Sequence, residues 1–128
     1  MMSPSDPPEE NKFRAEIEED QRPWGKFRSY PVDAVSSLKI ITVKPGGTLS
    51  LQYHNHRREF WVVLDPGLEV TVGDEIRRAQ PGEEIYIPAG SPHRLRCRGE
   101  LPARIMEVWL GDSSEDDIVR LDDAYGRS

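Results

Sequence analysis

From residue 26 to residue 110 the chain runs in short stretches rich in Val, Ile, Tyr, Thr and Trp, each closed by a turn signal. The signals are Pro45-Gly46-Gly47, Asp65-Pro66-Gly67, Gly73-Asp74, Gln80-Pro81-Gly82, Ala89-Gly90 and Arg98-Gly99. Regular punctuation of this kind predicts an all-β chain. Strands are expected near 26–30, 37–44, 48–55, 58–64, 68–72, 75–79, 84–87, 92–97 and 103–110, enough for a barrel or a jelly-roll sandwich. The one helical candidate is short, near Ser114 to Asp117, where acids follow a serine. No repeat of solenoid period is present.

The length of 128 residues suits one domain, and ten aromatics can fill its core although 31% of residues are charged. The longest apolar stretch, Phe60 to Leu64, is far short of a membrane helix. Acids stand at the N-terminus where a signal peptide would have bases and then an apolar run, so a cytoplasmic protein with no membrane partner is expected. The single cysteine, Cys97, excludes an intrachain disulfide and a Cys-rich metal site.

The net charge of −6 argues against nucleic acid as a partner. That charge is unevenly spread. Residues 1–21 carry seven acids and two bases, residues 112–128 carry six and two, and the middle carries thirteen bases and ten acids. A mildly basic middle is compatible with an anionic small molecule. The expected organisation is a flexible acidic lead over 1–21 and a β-barrel over 22–128 with an acidic C-terminal segment.

All three histidines lie in two segments, 47–59 and 82–93. In a strand, residues two apart share a face, so His54 and His56 can bring two imidazoles to one point. Ser50 and Gln52 then share that face as a pocket lining, while Leu49, Leu51 and Tyr53 point the other way. Glu59 is out of alternation and joins only if the strand bends or breaks near Arg57-Arg58. His93 must come from another strand, aimed by Pro88-Ala89-Gly90. Three His and one carboxylate would suit one divalent ion, Zn, Fe, Mn, Ni or Co.

The segment Gly82-x5-Pro88-x-Gly90-x2-His93 resembles the second motif of the cupin superfamily, and His54-x-His56 with Glu59 and Trp61-Val62-Val63 resembles the first. The resemblance extends further. Arg22-Pro23-Trp24-Gly25, Leu49-Ser50-Leu51-Gln52-x-His54-x-His56-Arg57-x-Glu59, Tyr86-Ile87-Pro88-Ala89-Gly90-x-Pro92-His93-Arg94-Leu95 and Asp116-Asp117-Ile118-Val119-Arg120 are similar to type II mannose-6-phosphate isomerase. In that family the cupin is often the C-terminal half of a bifunctional mannose-1-phosphate guanylyltransferase. The resemblance covers Arg22 to Arg127, and no Gly-rich phosphate loop of a nucleotidyltransferase is present.

What the resemblance implies is a cupin-type jelly-roll β-barrel, usually a homodimer, with one divalent metal, zinc first, on His54, His56, Glu59 and His93. The implied reaction interconverts mannose 6-phosphate and fructose 6-phosphate through an enediol, which needs a Lewis acid, an acid/base group and a cationic phosphate site. Candidate bases are Glu107, either inward or at the rim, and a metal-bound hydroxide. Arg57 is the first choice for phosphate, with Arg22 and Lys39 behind it. Arg94, Arg96 and Arg98 read as a solvated stripe, and Trp24 and Trp61 as packing residues. The chain departs from the family pattern at Phe60, where a His is usual, at Pro66, where a Gly is usual, and at Cys97, where an Asn is usual. If the usual His moves protons, Phe60 slows or redirects the reaction. The alternatives are a non-catalytic metal-binding cupin that senses a sugar or sugar nucleotide, and a different cupin enzyme such as a dioxygenase.

Overall fold

In the computed structural model, which describes residues 8–32, 35–111 and 116–122, the turn signals separate strands much as the hydrophobic pattern predicts. The chain divides into two units, Met1–Asp33 and Ala34–Ser128.

In the first unit, secondary structure reaches further toward the N-terminus than the sequence pattern suggests. Helix α1 spans Pro8–Ala15, and strands β1 (Glu18–Arg22) and β2 (Gly25–Ser29) form an antiparallel hairpin. Residues 8–21, expected within a flexible lead, thus contain a helix and most of a strand. The signal was electrostatic and local rather than apolar. Glu9 and Glu10 sit in the first turn of α1 and Lys12 and Arg14 in the last, opposing the helix dipole, and Arg14 Nε bonds Glu10 Oε2 at 2.7 Å. Trp24, expected to pack, is 74% exposed in the hairpin turn.

The second unit is built from β3 (Val35–Val43), β4 (Leu51–Tyr53), β5 (Arg58–Val63), β6 (Leu68–Val72), β7 (Glu75–Arg78), β8 (Glu84–Ile87), β9 (His93–Cys97), β10 (Ala103–Leu110) and β11 (Val119–Asp122). They form a four-stranded sheet, β3-β10-β5-β8, and a five-stranded sheet, β11-β4-β9-β6-β7. Val43, Trp61, Val63, Ile85, Ile87 and Ile105 of the first sheet meet Leu68, Val70, Leu95 and Cys97 of the second in one buried cluster. Each fully buried aliphatic or aromatic side chain there contributes roughly 1.5–3 kcal/mol. This is the expected jelly-roll arrangement. The hairpin β6–β7 turns on Gly73-Asp74, with Gly73 at φ +60°, a backbone that a two-residue loop requires at its first position.

Two boundaries differ in ways that matter for the site. The strand expected over 48–55 is regular only at Leu51–Tyr53, and residues 54–57 form a bend. The helix expected near Ser114–Asp117 lies mostly outside the described residues; its described end, Asp116 and Asp117, is turn and coil leading into β11.

A candidate metal centre

The bend after β4 removes three residues from any sheet ladder, so their backbone N–H groups need other partners. Asp117 supplies them. Its carboxylate accepts from the backbone N–H of Asn55 (2.8 Å), His56 (2.8 Å) and Arg57 (3.1 Å). Burial alone would raise the Asp117 carboxyl, but these three bonds outweigh it and hold the group below the usual carboxylate range. The carbonyl oxygen of Asp117 accepts from His54 Nδ1–H at 2.5 Å. A carbonyl can only accept, so in the neutral ring Nδ1 carries the hydrogen and Nε2 carries a lone pair.

His93 arrives on β9 in the same tautomer, its Nδ1–H donating to Ser91 O at 2.9 Å. The preceding turn is tied to the bend: Gly90, at φ +83°, donates its N–H to His54 O at 2.7 Å, and Gln52 pairs with His93 across β4 and β9. His54 Nε2 and His93 Nε2 both face Glu59 Oε2, at 2.9 and 3.7 Å. The three side chains are buried and offer three ligand atoms within 4.8 Å of one another. His93 Nε2 is buried with no hydrogen-bond partner, a costly state for a polar atom. Burial lowers the His93 pKa against the opposing pull of Glu59, which favours the neutral, ligating ring. Two imidazole lone pairs and a carboxylate aimed at one point fit a divalent cation.

One cation already reaches this point. The Arg57 guanidinium is buried, donates from Nε to Glu59 Oε2 at 3.0 Å and from an Nη to His54 Nε2 at 2.7 Å, and lies 3.5 Å from the centre of the Trp109 ring. Its Nη1 has no partner.

Behind the ligand group, β5 and β10 place two Glu-x-Trp pairs side by side. Trp61 Nε1 donates to Glu59 Oε1 at 2.9 Å, and Trp109 Nε1 donates to Glu107 Oε1 at 2.8 Å. The antiparallel register sets Glu59 opposite Trp109 and Glu107 opposite Trp61. Glu107 is therefore inward, not at the rim. Burial, then the charge of Glu59 and the hydrogen bond between the two carboxyls, raise Glu107 to about 7. For Glu59, burial is outweighed by His54, His93, Glu107 and Trp61, and its pKa falls to about 2.

The structure brings together His54, Glu59 and His93 of the four expected ligands, and His56 stays outside. The alternation that would pair His54 with His56 holds only in a strand, and the strand ends at Tyr53; His56 is exposed and contributes its backbone N–H to Asp117. The break that removes His56 is the one that admits Glu59. Ser50 donates to Gln52 Oε1 at 2.9 Å, and both line a cavity of about 10 Å³ with Trp61, His93, Arg94 and Glu107. That volume holds about one water molecule. Lys39 lies opposite Glu107 on β3, its Nζ 4.0 Å from Glu107 Oε1 and 4.3 Å from the Trp109 ring centre. Arg22 belongs to the N-terminal unit, where it pairs with Asp20 at 2.9 Å.

Phe60 is buried on the face of β5 opposite to Glu59 and Trp61. A side chain at this position points away from the ligand group, so the departure from the family His leaves that group intact. Arg94 is not part of a solvated stripe: its side chain is 15% exposed and bonds Leu49 O and Asp122. Arg98 is exposed and pairs with Glu69. Asp117 was missed as a functional residue. Its only signal in the sequence is membership of the Asp116-Asp117-Ile118 block, because three backbone donors leave no trace in residue types.

Residues 9–123 match the family model described as mannose-6-phosphate isomerase C-terminal. The xanthan biosynthesis protein XanB of Xanthomonas campestris pv. campestris (strain B100) is 48% identical over 108 residues, 84% of this chain and 23% of that protein. The mannose-1-phosphate guanylyltransferase ManC of Salmonella typhimurium is 45% identical over 107 residues, 83% of this chain and 22% of that protein. The chain thus spans less than a quarter of the length of these relatives. Among solved structures, a sugar phosphate isomerase of the cupin superfamily from Silicibacter pomeroyi superposes with a TM-score of 0.55 at 20% identity, covering 70% of this chain and 68% of that one. The capsular polysaccharide assembling protein CapF of Staphylococcus aureus gives a TM-score of 0.60 at 18% identity, covering 83% and 32%. At these identities the two structures speak for the cupin fold alone.

Proposed function

Because this chain belongs to the mannose-6-phosphate isomerase C-terminal family, we propose that it is a metal-dependent aldose–ketose isomerase acting on a phosphorylated sugar, mannose 6-phosphate first. The observation that carries the reading is the convergence of His54 Nε2, His93 Nε2 and Glu59 Oε2, with His93 Nε2 otherwise unpartnered.

A divalent ion held by these three atoms would supply a Lewis acid for the oxyanion that develops on the C1 and C2 oxygens, between which the hydroxyl proton passes as the carbonyl moves from C1 to C2. Glu107 is the general base: buried beside Glu59, its carboxyl is raised to about 7 in the metal-free protein, and it stands where it can take a proton from C2 and return it to C1. Trp109 and Lys39 fix that carboxyl from one side. Arg57 Nη1 is the buried donor still free to meet an anionic oxygen, and Arg57 is therefore the substrate anchor. Ser50 and Gln52 line the approach to His93.

The test is conversion of mannose 6-phosphate to fructose 6-phosphate by protein loaded in turn with Zn, Mn, Fe, Co and Ni, alongside the metal content of His54→Ala and His93→Ala. Turnover with one metal, and loss of bound metal in both variants, are expected. Unchanged metal content in both variants would overturn the ligand assignment.

A second reading, a metal-binding cupin without turnover, is favoured by the size of the cavity beside His93. At about 10 Å³ it holds about one water molecule. Metal binding without turnover under every loading would select this reading.

A further inference from the structure

We propose that Asp117 is the positioning residue of the metal centre, one residue that clamps the bend bearing His54 through three backbone bonds and fixes the His54 tautomer through its own carbonyl. The inference rests on reading the His54–Glu59–His93 group as a metal site and adds what holds that group in shape.

Strand β4 ends at Tyr53 and β5 begins at Arg58, so residues between them have no ladder of their own. The register of β11 on β4, Val119 opposite Tyr53, carried on by two residues, sets Asp117 across from Asn55. There its carboxylate takes the N–H groups of three successive residues, 55, 56 and 57, at 2.8, 2.8 and 3.1 Å. Bonds to an ionised carboxylate are shorter and stronger than bonds between neutral groups. Together they replace the sheet for the one stretch of chain that must leave it, and they set where β5 resumes and hence where Glu59 points.

The carbonyl of the same residue acts on the ligand itself. By accepting from Nδ1–H it leaves the lone pair of His54 on Nε2, the nitrogen 2.9 Å from Glu59 Oε2. The other tautomer would place a hydrogen where a metal must bind. A metal-binding His is commonly oriented in this way through its second nitrogen, and loss of such a partner costs 10–100-fold in affinity. His93 has its own device in Ser91 O, two residues away. His54 depends on a backbone carbonyl 63 positions away, and the Asp117 carboxylate holds the bend beside it, so loosening that clamp acts on His54 and not on His93.

The experiment uses the full chain with Asp117→Ala, Asp117→Asn and, as a control, Asp122→Ala, which removes the carboxylate that pairs with Arg94 at the far end of β11. Zinc and cobalt affinities are measured by competition with a chromogenic chelator, and the His54 ring nitrogens are followed by 15N NMR in metal-free protein. Expected are a 10–100-fold loss of affinity in Asp117→Ala, a smaller loss in Asp117→Asn, which keeps one acceptor oxygen, and none in Asp122→Ala. Asp117→Ala keeps the backbone carbonyl, so the His54 signals should move from a pure Nδ1–H ring toward a mixture only through the unclamped bend, which no longer holds His54 against that carbonyl, while those of His93 stay. Should Asp117→Ala fail to fold, Asp117→Asn carries the same comparison. Wild-type affinity and His54 signals in the Asp117 variants, or an equal loss in Asp122→Ala, would overturn the inference while leaving the metal site standing. If the wild-type chain binds no metal, the metal reading fails, and the His54 tautomer alone then decides for or against Asp117.

Discussion

Strands β5 and β10 carry the same three-residue pattern, Glu59-Phe60-Trp61 and Glu107-Val108-Trp109, and in each the indole N–H donates to the carboxylate two residues earlier. The pairs lie side by side in opposite directions, and their carboxyls are displaced in opposite senses. Glu59 faces two histidines and the Arg57 guanidinium and is held as an anion. Glu107 meets burial and the charge of Glu59, with Lys39 as its only described ion-pair partner at 4.0 Å. One site cannot accommodate two like charges at low cost, so one carboxyl ionises and its neighbour keeps a proton. The difference teaches that the motif supplies geometry while the neighbours set the charge state: an anion on β5, which the proposed function uses as a ligand, and a protonatable carboxyl on β10, which it uses as a proton carrier.

The sharpest way to break the comparison is to remove each carboxyl in turn. Glu59→Ala takes away the one anionic ligand and should lower metal affinity at least a hundredfold, whereas Glu107→Ala should lower it tenfold or less. Equal losses, read by metal content after dialysis, would mean that the two carboxyls share one role. Turnover should divide the other way. Glu107→Gln is expected to keep its metal and lose kcat by a factor of about 10²–10⁴, the usual range for a general acid–base group. A Glu107→Gln protein with wild-type kcat would move the proton transfer to another group.

The pH dependence of stability separates the pair without substrate. In metal-stripped protein, Glu107 folds with a pKa near 7 against 4.5 in the unfolded chain, so the native state binds the extra proton and stability falls as pH rises through that window. Glu59, at about 2 against 4.5, does the reverse, and its contribution is present above pH 4.5 and lost as pH falls toward 2. His93, lowered by burial, works in the opposite sense within this window, so the signal in denaturant titrations is a difference: relative to Glu107→Gln, wild-type stability should decline by about 2 kcal/mol between pH 4.5 and 7. A decline of the same size in the variant would assign it to other groups.

Much of this site was legible in the sequence, and the illegible parts have physical reasons. The strands and the place of His54 followed from alternation and turn signals, and His93 from the turn at Pro88-Ala89-Gly90; Glu59 entered only on condition of a break near Arg57-Arg58, the ligand set came from the family resemblance, and Glu107 stayed open between inward and rim. His56 is misplaced because alternation extends three residues beyond the strand: Arg57-Arg58 is a possible break by sequence, but the chain leaves the sheet already at His54. Asp117 was invisible because its partners are backbone groups, which every residue type possesses. Helix α1 escaped because its support is charge pairing on a polar segment, not an apolar stripe.

The smallest expected effect is the most specific to the paired motif. Trp109→Phe keeps the ring beneath Arg57 but removes the N–H that favours the ionised form of Glu107. With that donor gone, the Glu107 carboxyl holds its proton to higher pH, and the acid limb of the kcat/KM profile should move upward by less than one unit. Trp61→Phe removes the matching N–H from Glu59, a group already ionised far below the working range, so the same limb should stay in place while metal affinity weakens slightly. An upward shift in Trp61→Phe, or none in Trp109→Phe, would show that the two indoles do not act on their own carboxyls, and the division of roles between β5 and β10 would then rest on burial alone.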